Sequence, residues 1–157
     1  MDSRRGARRF GKGKYEEILT TGVAGVTHEG RFIRCGKAFS QWEISGKKGG
    51  DKRLRFVRDK KNKFDKNAIS VEWNGIGQLG FIPAKIAAVL SPLIDAGLEV
   101  KPTVRHFGDF VRNEEDGDLI ITFMKVGIAV RSEEAIKVRK RIIKEIGRSG
   151  QRWRILE

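Results

Sequence analysis

A single cysteine, Cys35, leaves this chain with no internal disulfide and no CxxC pair. Its two histidines, His28 and His106, stand far apart, so no Cys/His cluster has zinc-ligand spacing, and Cys35 reads as a lone buried thiol. No run of about 18 apolar residues occurs, and "MDSRRGARRFGKGKYEE" lacks the apolar stretch of a secretory signal. The expectation is a soluble intracellular protein, cytoplasmic or nucleoid-associated or nuclear, with no membrane partner. Catalytic signatures are missing too. There is no Ser/His/Asp arrangement and no carboxylate pair in a plausible cleft. "GKKGGDK" (46–52) lacks the spacing of a phosphate-binding loop and reads as a mobile loop. A non-enzymatic protein with no cofactor and no metal is expected.

Acidic residues are the scarcer charge: 20 Asp and Glu against 33 Lys and Arg, a net charge of +13 over 157 residues. The excess is local. Residues 1–14 carry six basic residues against one acidic, and 131–157 carry nine against four. Between them, residues 47–66 hold ten against three, so the remainder of 15–130 is net negative. A chain polarised in this way favours a polyanionic partner.

Residues 1–14, rich in Gly, Arg and Lys, cannot bury enough surface to fold alone and read as a basic flexible arm. From Tyr15 the composition changes to short β-branched and aromatic runs separated by Gly, Asn, Asp and Lys. These predict strands at 18–26, 31–36, 39–45, 53–58, 68–73 and 77–82. The Asn-Gly pair in "WNGIGQ" (73–78) makes the last two a hairpin. Pro83 then opens a short helix over 84–97, with Ile86, Val89, Leu90 and Leu93 at helical spacing, a kink or restart at Ser91-Pro92, and Gly97 at its C-terminal end.

Two further strands, 99–107 and 119–130, are joined by "GDFVRNEEDGD". Its carboxylates Glu114, Glu115, Asp116 and Asp118 lack EF-hand spacing and read as an acidic hairpin tip. The final helix, 132–147, has Ser132 as expected N-cap, Gly147 as stop and a stripe of Ala135, Val138, Ile142 and Ile146. That stripe leaves Lys137, Arg139, Lys140, Arg141 and Lys144 on a basic face. Trp153, between Arg152 and Arg154, is expected to pack back on the domain. The fold class is therefore mainly β with α: a small OB-like or SH3-like β-barrel of six to eight strands over 15–130, with one inserted short helix, followed by a basic C-terminal helix and tail over 131–157.

Residues 56–97, "FVRDKKNKFDKNAISVEWNGIGQLGFIPAKIAAVLSPLIDAG", resemble the core of the HIRAN domain family, and "GVAGVTHEGR" (22–31) resembles its first strand and turn. The signature is Arg58, then Asn62-Lys63-Phe64-Asp65-Lys66-Asn67-Ala68-Ile69-Ser70-Val71, then Gly77 to Gly80, then a helix from Ala84; the likeness spans residues 18–107. It implies a barrel related to OB folds that binds DNA, and eukaryotic members recognise the 3′-hydroxyl end of a single strand. Where those relatives carry a polar residue in the Gly-x strand this chain has Phe81, and His28-Glu29 stand where a second aromatic is usual.

The residues suggest how an end would be read. Phe64 stacks on the terminal base or is a core residue. Asp65 accepts a hydrogen bond from the terminal hydroxyl or closes a local turn, as Asn67 would. Arg58, Lys61, Lys63 and Lys66 neutralise phosphates, and Asn62, His28 and Phe81 complete the candidate set. The expected partner is single-stranded DNA, with replication or repair proteins behind it. Two other classes stay open at this level: an RNA-binding or ribonucleoprotein assembly factor, and a protein-interaction module held on nucleic acid by its tails.

Overall fold

The computed structural model describes residues 14–157, so the arm read at 1–14 lies outside the described residues except for Lys14. Seven strands and three helices follow in the order β1 (Tyr15–Gly22), α1 (Arg31–Ile44), β2 (Leu54–Arg58), β3 (Ile69–Trp73), β4 (Gly77–Phe81), α2 (Ala84–Asp95), β5 (Val100–Arg112), β6 (Leu119–Arg131), α3 (Ser132–Ile146) and β7 (Trp153–Ile155). They form two antiparallel sheets, one of four strands in the order β5-β6-β1-β7 and one of three in the order β2-β3-β4. A single cluster lies between them, with Trp73, Leu79, Ile86, Leu90, Val126 and Ile128 at its centre. The expected mainly-β class with helices is what forms.

One chain segment serves both sheets. Gly22 and Val23 still bond to the four-stranded sheet through Arg152 and Met124, and the next residue, Ala24, exchanges two backbone hydrogen bonds with Phe81 of β4, at 2.7 and 2.9 Å. On the other side, the Val104 N–H of β5 donates to the Gly49 carbonyl just before β2, at 2.7 Å. The sheets are thus tied at two corners into a curved, partly open barrel.

The strands predicted at 31–36 and 39–45 are one helix, α1. Phe32, Ile33, Phe39, Trp42 and Ile44 have high β-propensity and Gly36 interrupts them, which is why the stretch reads as two strands. Yet the residues that α1 buries, Arg31, Cys35, Ala38 and Phe39, recur at helical spacing. Tertiary contact decides between the two periods. Phe39 meets Phe107 and Phe110 of β5 with ring centroids at 5.6 and 4.7 Å, and Trp42 meets Phe107 at 5.4 Å. A helix there also closes the gap between β4 and β6. Burial within it pushes the Cys35 thiol up to about 12, so it is the inert buried cysteine expected.

Other elements follow the sequence with adjusted ends. The strand predicted over 18–26 is β1, already formed at Tyr15. The hairpin forms, with Gly75 at φ 85° in the loop between Trp73 and Gly77. The helix α2 runs through Pro92 to Asp95, and Gly97 just beyond it, with a φ of 112° and an N–H bond to Ile94, makes the glycine stop. The strands β5 and β6 extend to Arg112 and from Leu119, so the acidic tip is only 113–118. There the Asn113 and Asp116 side chains accept from the Glu115 and Asp118 N–H groups.

At α3 two expectations change. Arg131 is the N-cap residue, and Ser132, already helical, donates its hydroxyl and its N–H to the Lys14 carbonyl. Arg139 leaves the basic face: its side chain is only 15% exposed, ion-paired to Glu16 and donating to the Leu156 carbonyl. Residues 131–157 belong to the same packed body, since Ala135, Val138 and Ile142 enter the core. Trp153 packs back as expected, on a strand, β7, that the sequence did not announce. No helix among the described residues is long and apolar enough to cross a membrane.

Candidate nucleic-acid interface

The polar stretch between β2 and β3 is a rigid turn built by its own side chains. The Asn62 Oδ1 accepts from the Phe64 and Asp65 N–H groups at 2.9 and 3.0 Å, and its Nδ2 donates to Asp59 at 3.1 Å. The Asp65 Oδ1 accepts from the Asn67 N–H at 2.9 Å, and the Ala68 N–H donates to the Asp65 carbonyl at 3.0 Å. These are the local bonds by which Asn and Asp imitate a backbone turn. They leave Phe64 no contact with the core: it is 97% exposed, so the core reading does not hold. Among the described residues the second Asp65 oxygen has no hydrogen-bond partner.

Arg58 fastens this loop to α2. Its guanidinium donates twice to Asp95, both at 3.0 Å, and also to the Ala68 and Lys66 carbonyls at 2.8 and 3.2 Å. The Ser91 hydroxyl adds a bond to the Asn67 carbonyl. Arg58 is therefore spent on the scaffold, whereas Lys61, Lys63 and Lys66 are exposed and, among the described residues, unpaired. Along 47–66 the pattern is similar: Arg53 pairs with Asp51 at 2.8 Å and Arg55 with Glu72 at 3.5 Å, Lys60 reaches Asp95 at 3.8 Å, and the exposed lysines at 47, 48 and 52 have no ion-pair partner among the described residues. The basic stretch is also split, because β2 carries 47–52 and 59–66 to its opposite ends, roughly 17 Å apart.

The Arg58 hydrogen bonds hold the Asp95 carboxyl below the usual carboxylate range. A depressed folded value means the anchor is at full strength above the ordinary Asp pKa of about 3.9 and is lost only as pH falls through the lower folded value. The Arg58 Nε–H resonance should accordingly keep its bonded shift at pH 4 and lose it only in stronger acid. In Asp95→Asn it should be displaced at every pH.

His28 and Phe81 form a second group. The turn from Gly25 to Gly30 has its last two residues in left-handed conformations, Glu29 at φ 53° and Gly30 at 77°, and His28 is exposed on it. Arg31, at the start of α1, is buried and reaches back beneath that turn. It donates to the Gly25 carbonyl at 2.8 Å and to Gln78 at 3.1 Å, and it covers the half-buried Phe81 ring at 5.2 Å. Gln78 in turn donates to Ser70 at 2.9 Å. Arg31 was missed because residues 31–36 read as a strand, which hides an arginine that acts from the first turn of a helix, and Gln78 and Ser70, on strands the sequence does show, are marked only by the bonds that connect them to it.

The pairing Ala24–Phe81, Phe81–Ser70 and Ser70–Val57 sets these groups on either flank of the end of β4. Three strand spacings separate the flanks, roughly 14 Å. Phe64 and the exposed lysines thus belong to the loop on the β2–β3 side of β4, the turn bearing His28 follows the strand on its other side, and Phe81 lies between the two flanks under Arg31.

The sequence pattern of the HIRAN domain family matches residues 30–109, half of the chain and all of the loop and its anchor. No curated protein matches the chain. Among solved structures, the crystal structure of the HIRAN domain of human HLTF is similar at 16% identity and a TM-score of 0.49, over 88% of this chain and 98% of that one. The chain belongs to the HIRAN domain family.

Proposed function

We propose that this protein is a non-enzymatic DNA-binding protein that holds the 3′-hydroxyl end of a single strand against the loop 62–66, in replication or repair. DNA binding is the association that the family carries. The observation that supports the finer reading is Phe64: an aromatic side chain 97% exposed, on a turn whose backbone is locked by Asn62, with Asp65 beside it and unpaired lysines around it.

The chemistry follows from those groups. A base stacks on Phe64, a contact worth roughly 1–3 kcal/mol for any base. The free Asp65 oxygen accepts from the terminal hydroxyl. A phosphate in that position would face the carboxylate, a repulsion of about 4 kcal/mol per unit charge at about 4 Å near a protein surface. That exceeds the stacking term, so the carboxylate decides between an open end and a blocked one. Lys61, Lys63 and Lys66 neutralise the preceding phosphates.

The test is competition against a labelled single strand by unlabelled 3′-hydroxyl, 3′-phosphate and duplex DNA and by an RNA of equal length. The 3′-hydroxyl DNA strand should compete best, and Asp65→Ala should remove its advantage over the 3′-phosphate strand. Equal competition by the two single DNA strands would overturn end recognition, and stronger competition by RNA would overturn the choice of DNA.

A further inference from the structure

The C-terminal tail, outside the family match, builds one wall of a second basic cleft. In β7, Trp153 and Ile155 turn into the core while Arg154, together with Arg152 just before the strand, takes the outer face, as the period of two requires. Arg154 pairs with Thr20 of β1, and the Gly22 N–H donates to the Arg152 carbonyl at 2.8 Å. Across the sheet Gly22 pairs with Lys125 of β6, and Lys125 with His106 of β5. One transverse row thus reads Arg152, Gly22, Lys125, His106. Gly22 brings no side chain to its middle, where the Phe123 ring and the Arg152 Cβ lie 3.6 and 3.7 Å from the position a Cβ would take, and two strand spacings set the arginine and the lysine about 9–10 Å apart.

This row borders a cavity of 580 Å³. Lys125, Arg152 and Arg154 line it with threonines and glycines; among the described residues no carboxylate lines it and none of the three cations has an ion-pair partner. Phe123, 40% exposed, stands at its edge. Gly25, Val26 and Thr27, the residues immediately before His28, also line it. On the neighbouring helix and tail, by contrast, Arg141 is matched by Glu145, Arg148 by Glu157 and Lys137 by Glu134.

We infer that this cleft is a track for the sugar-phosphate backbone of single-stranded DNA, in which Arg152, Arg154 and Lys125 take the phosphates upstream of the nucleotide held at the loop. The inference rests on the single-strand reading above. Three unpaired cations in a concave site without acidic residues suit a chain of monoanions. Charge contacts of this kind give affinity without sequence preference. The loop would thus set which end is bound, and the tail how many nucleotides are covered.

The experiment measures binding of 5′-labelled oligothymidylates of two to about eight residues, with 3′-hydroxyl and 3′-phosphate ends, across a salt series. The proteins are the full chain, Arg152→Gln/Arg154→Gln, and Lys125→Gln, which lies on a different strand and keeps the proposal testable if the tail variant is poorly folded. For wild type, affinity should rise with length beyond the first few residues. In the double variant the log-log salt slope should be less steep by about 1.4, the length dependence should flatten, and the preference for a 3′-hydroxyl should persist. An unchanged slope and length dependence in both variants would overturn the track while leaving end recognition standing. Length-dependent, arginine-dependent binding with no end preference would uphold the track and overturn the end reading instead.

Discussion

Phe64→Ala should weaken binding of a single-stranded oligonucleotide roughly 5- to 150-fold while leaving the thermal midpoint unchanged. The magnitude is that of one base stacked on an aromatic side chain, about 1–3 kcal/mol. The absence of a stability effect follows from 97% exposure: the ring touches no core residue, and surface substitutions of this kind stay within about 0.5 kcal/mol. Single exposed apolar residues are ordinary on protein surfaces. What sets Phe64 apart is that the Asn62 side chain holds the N–H groups of both Phe64 and Asp65, so the ring is presented on a fixed backbone. Titrating Phe64→Ala and Phe64→Leu against one labelled strand checks this. Leucine keeps apolar area but not the π face, and equal binding by all three proteins would remove Phe64 from the site.

The largest stability effect is expected at Gly36. An ideal Cβ there would lie 1.9 Å from the Leu119 carbonyl oxygen and 2.8 Å from its carbon, and both are backbone atoms of β6 that cannot rotate away. Intrinsic propensity argues the other way, since alanine in a helix interior is favoured over glycine by about 1 kcal/mol. The clash should prevail. To reach an ordinary contact distance α1 must retreat from β6 by more than an ångström, and the packing of Phe39 and Trp42 on Phe107 goes with it. A net loss of about 2 kcal/mol or more is expected, lowering the thermal midpoint by roughly 4–8 °C for a chain of this size. Lys37→Ala, one residue on and exposed, is the control and should be neutral. A rise in the midpoint for Gly36→Ala would mean that α1 does not sit against Leu119.

Much of this was legible from residue order. The hairpin over 68–82 announces itself through alternation and Asn-Gly, and α2 through its spacing and Gly97. The strand pair β5–β6 with its acidic tip and the stripe of α3 are equally plain, as is the polar turn 58–67. These are local signals in which side-chain period and turn chemistry agree, and the neighbours along the chain suffice to decide them. The turn bonds of Asn62 and Asp65 are of the same kind, because their partners lie within three residues.

The helix α1 was not legible, and the reason is physical. Aromatic and β-branched residues with a central glycine favour a strand locally. The helical period prevails because the space between β4 and β6 accepts a helix that turns Cys35 and Phe39 inward and sets Gly36 against a carbonyl. The roles of the arginines were hidden for the same reason. In sequence Arg58 is one of ten basic residues in a row of twenty, and only the approach of Asp95, 37 positions away, makes it an anchor, with Lys60 beside it, and leaves Lys61, Lys63 and Lys66 as the free charges of the loop.

The sequence by itself therefore determined the family, the curved antiparallel architecture and the loop that presents Phe64, since those depend on residues close in the chain. The tertiary structure alone decided which charges are free and where they converge. The Arg152–Gly22–Lys125 row brings Gly22 of β1 between two residues more than a hundred positions further along the chain, and no local pattern records a register of that range.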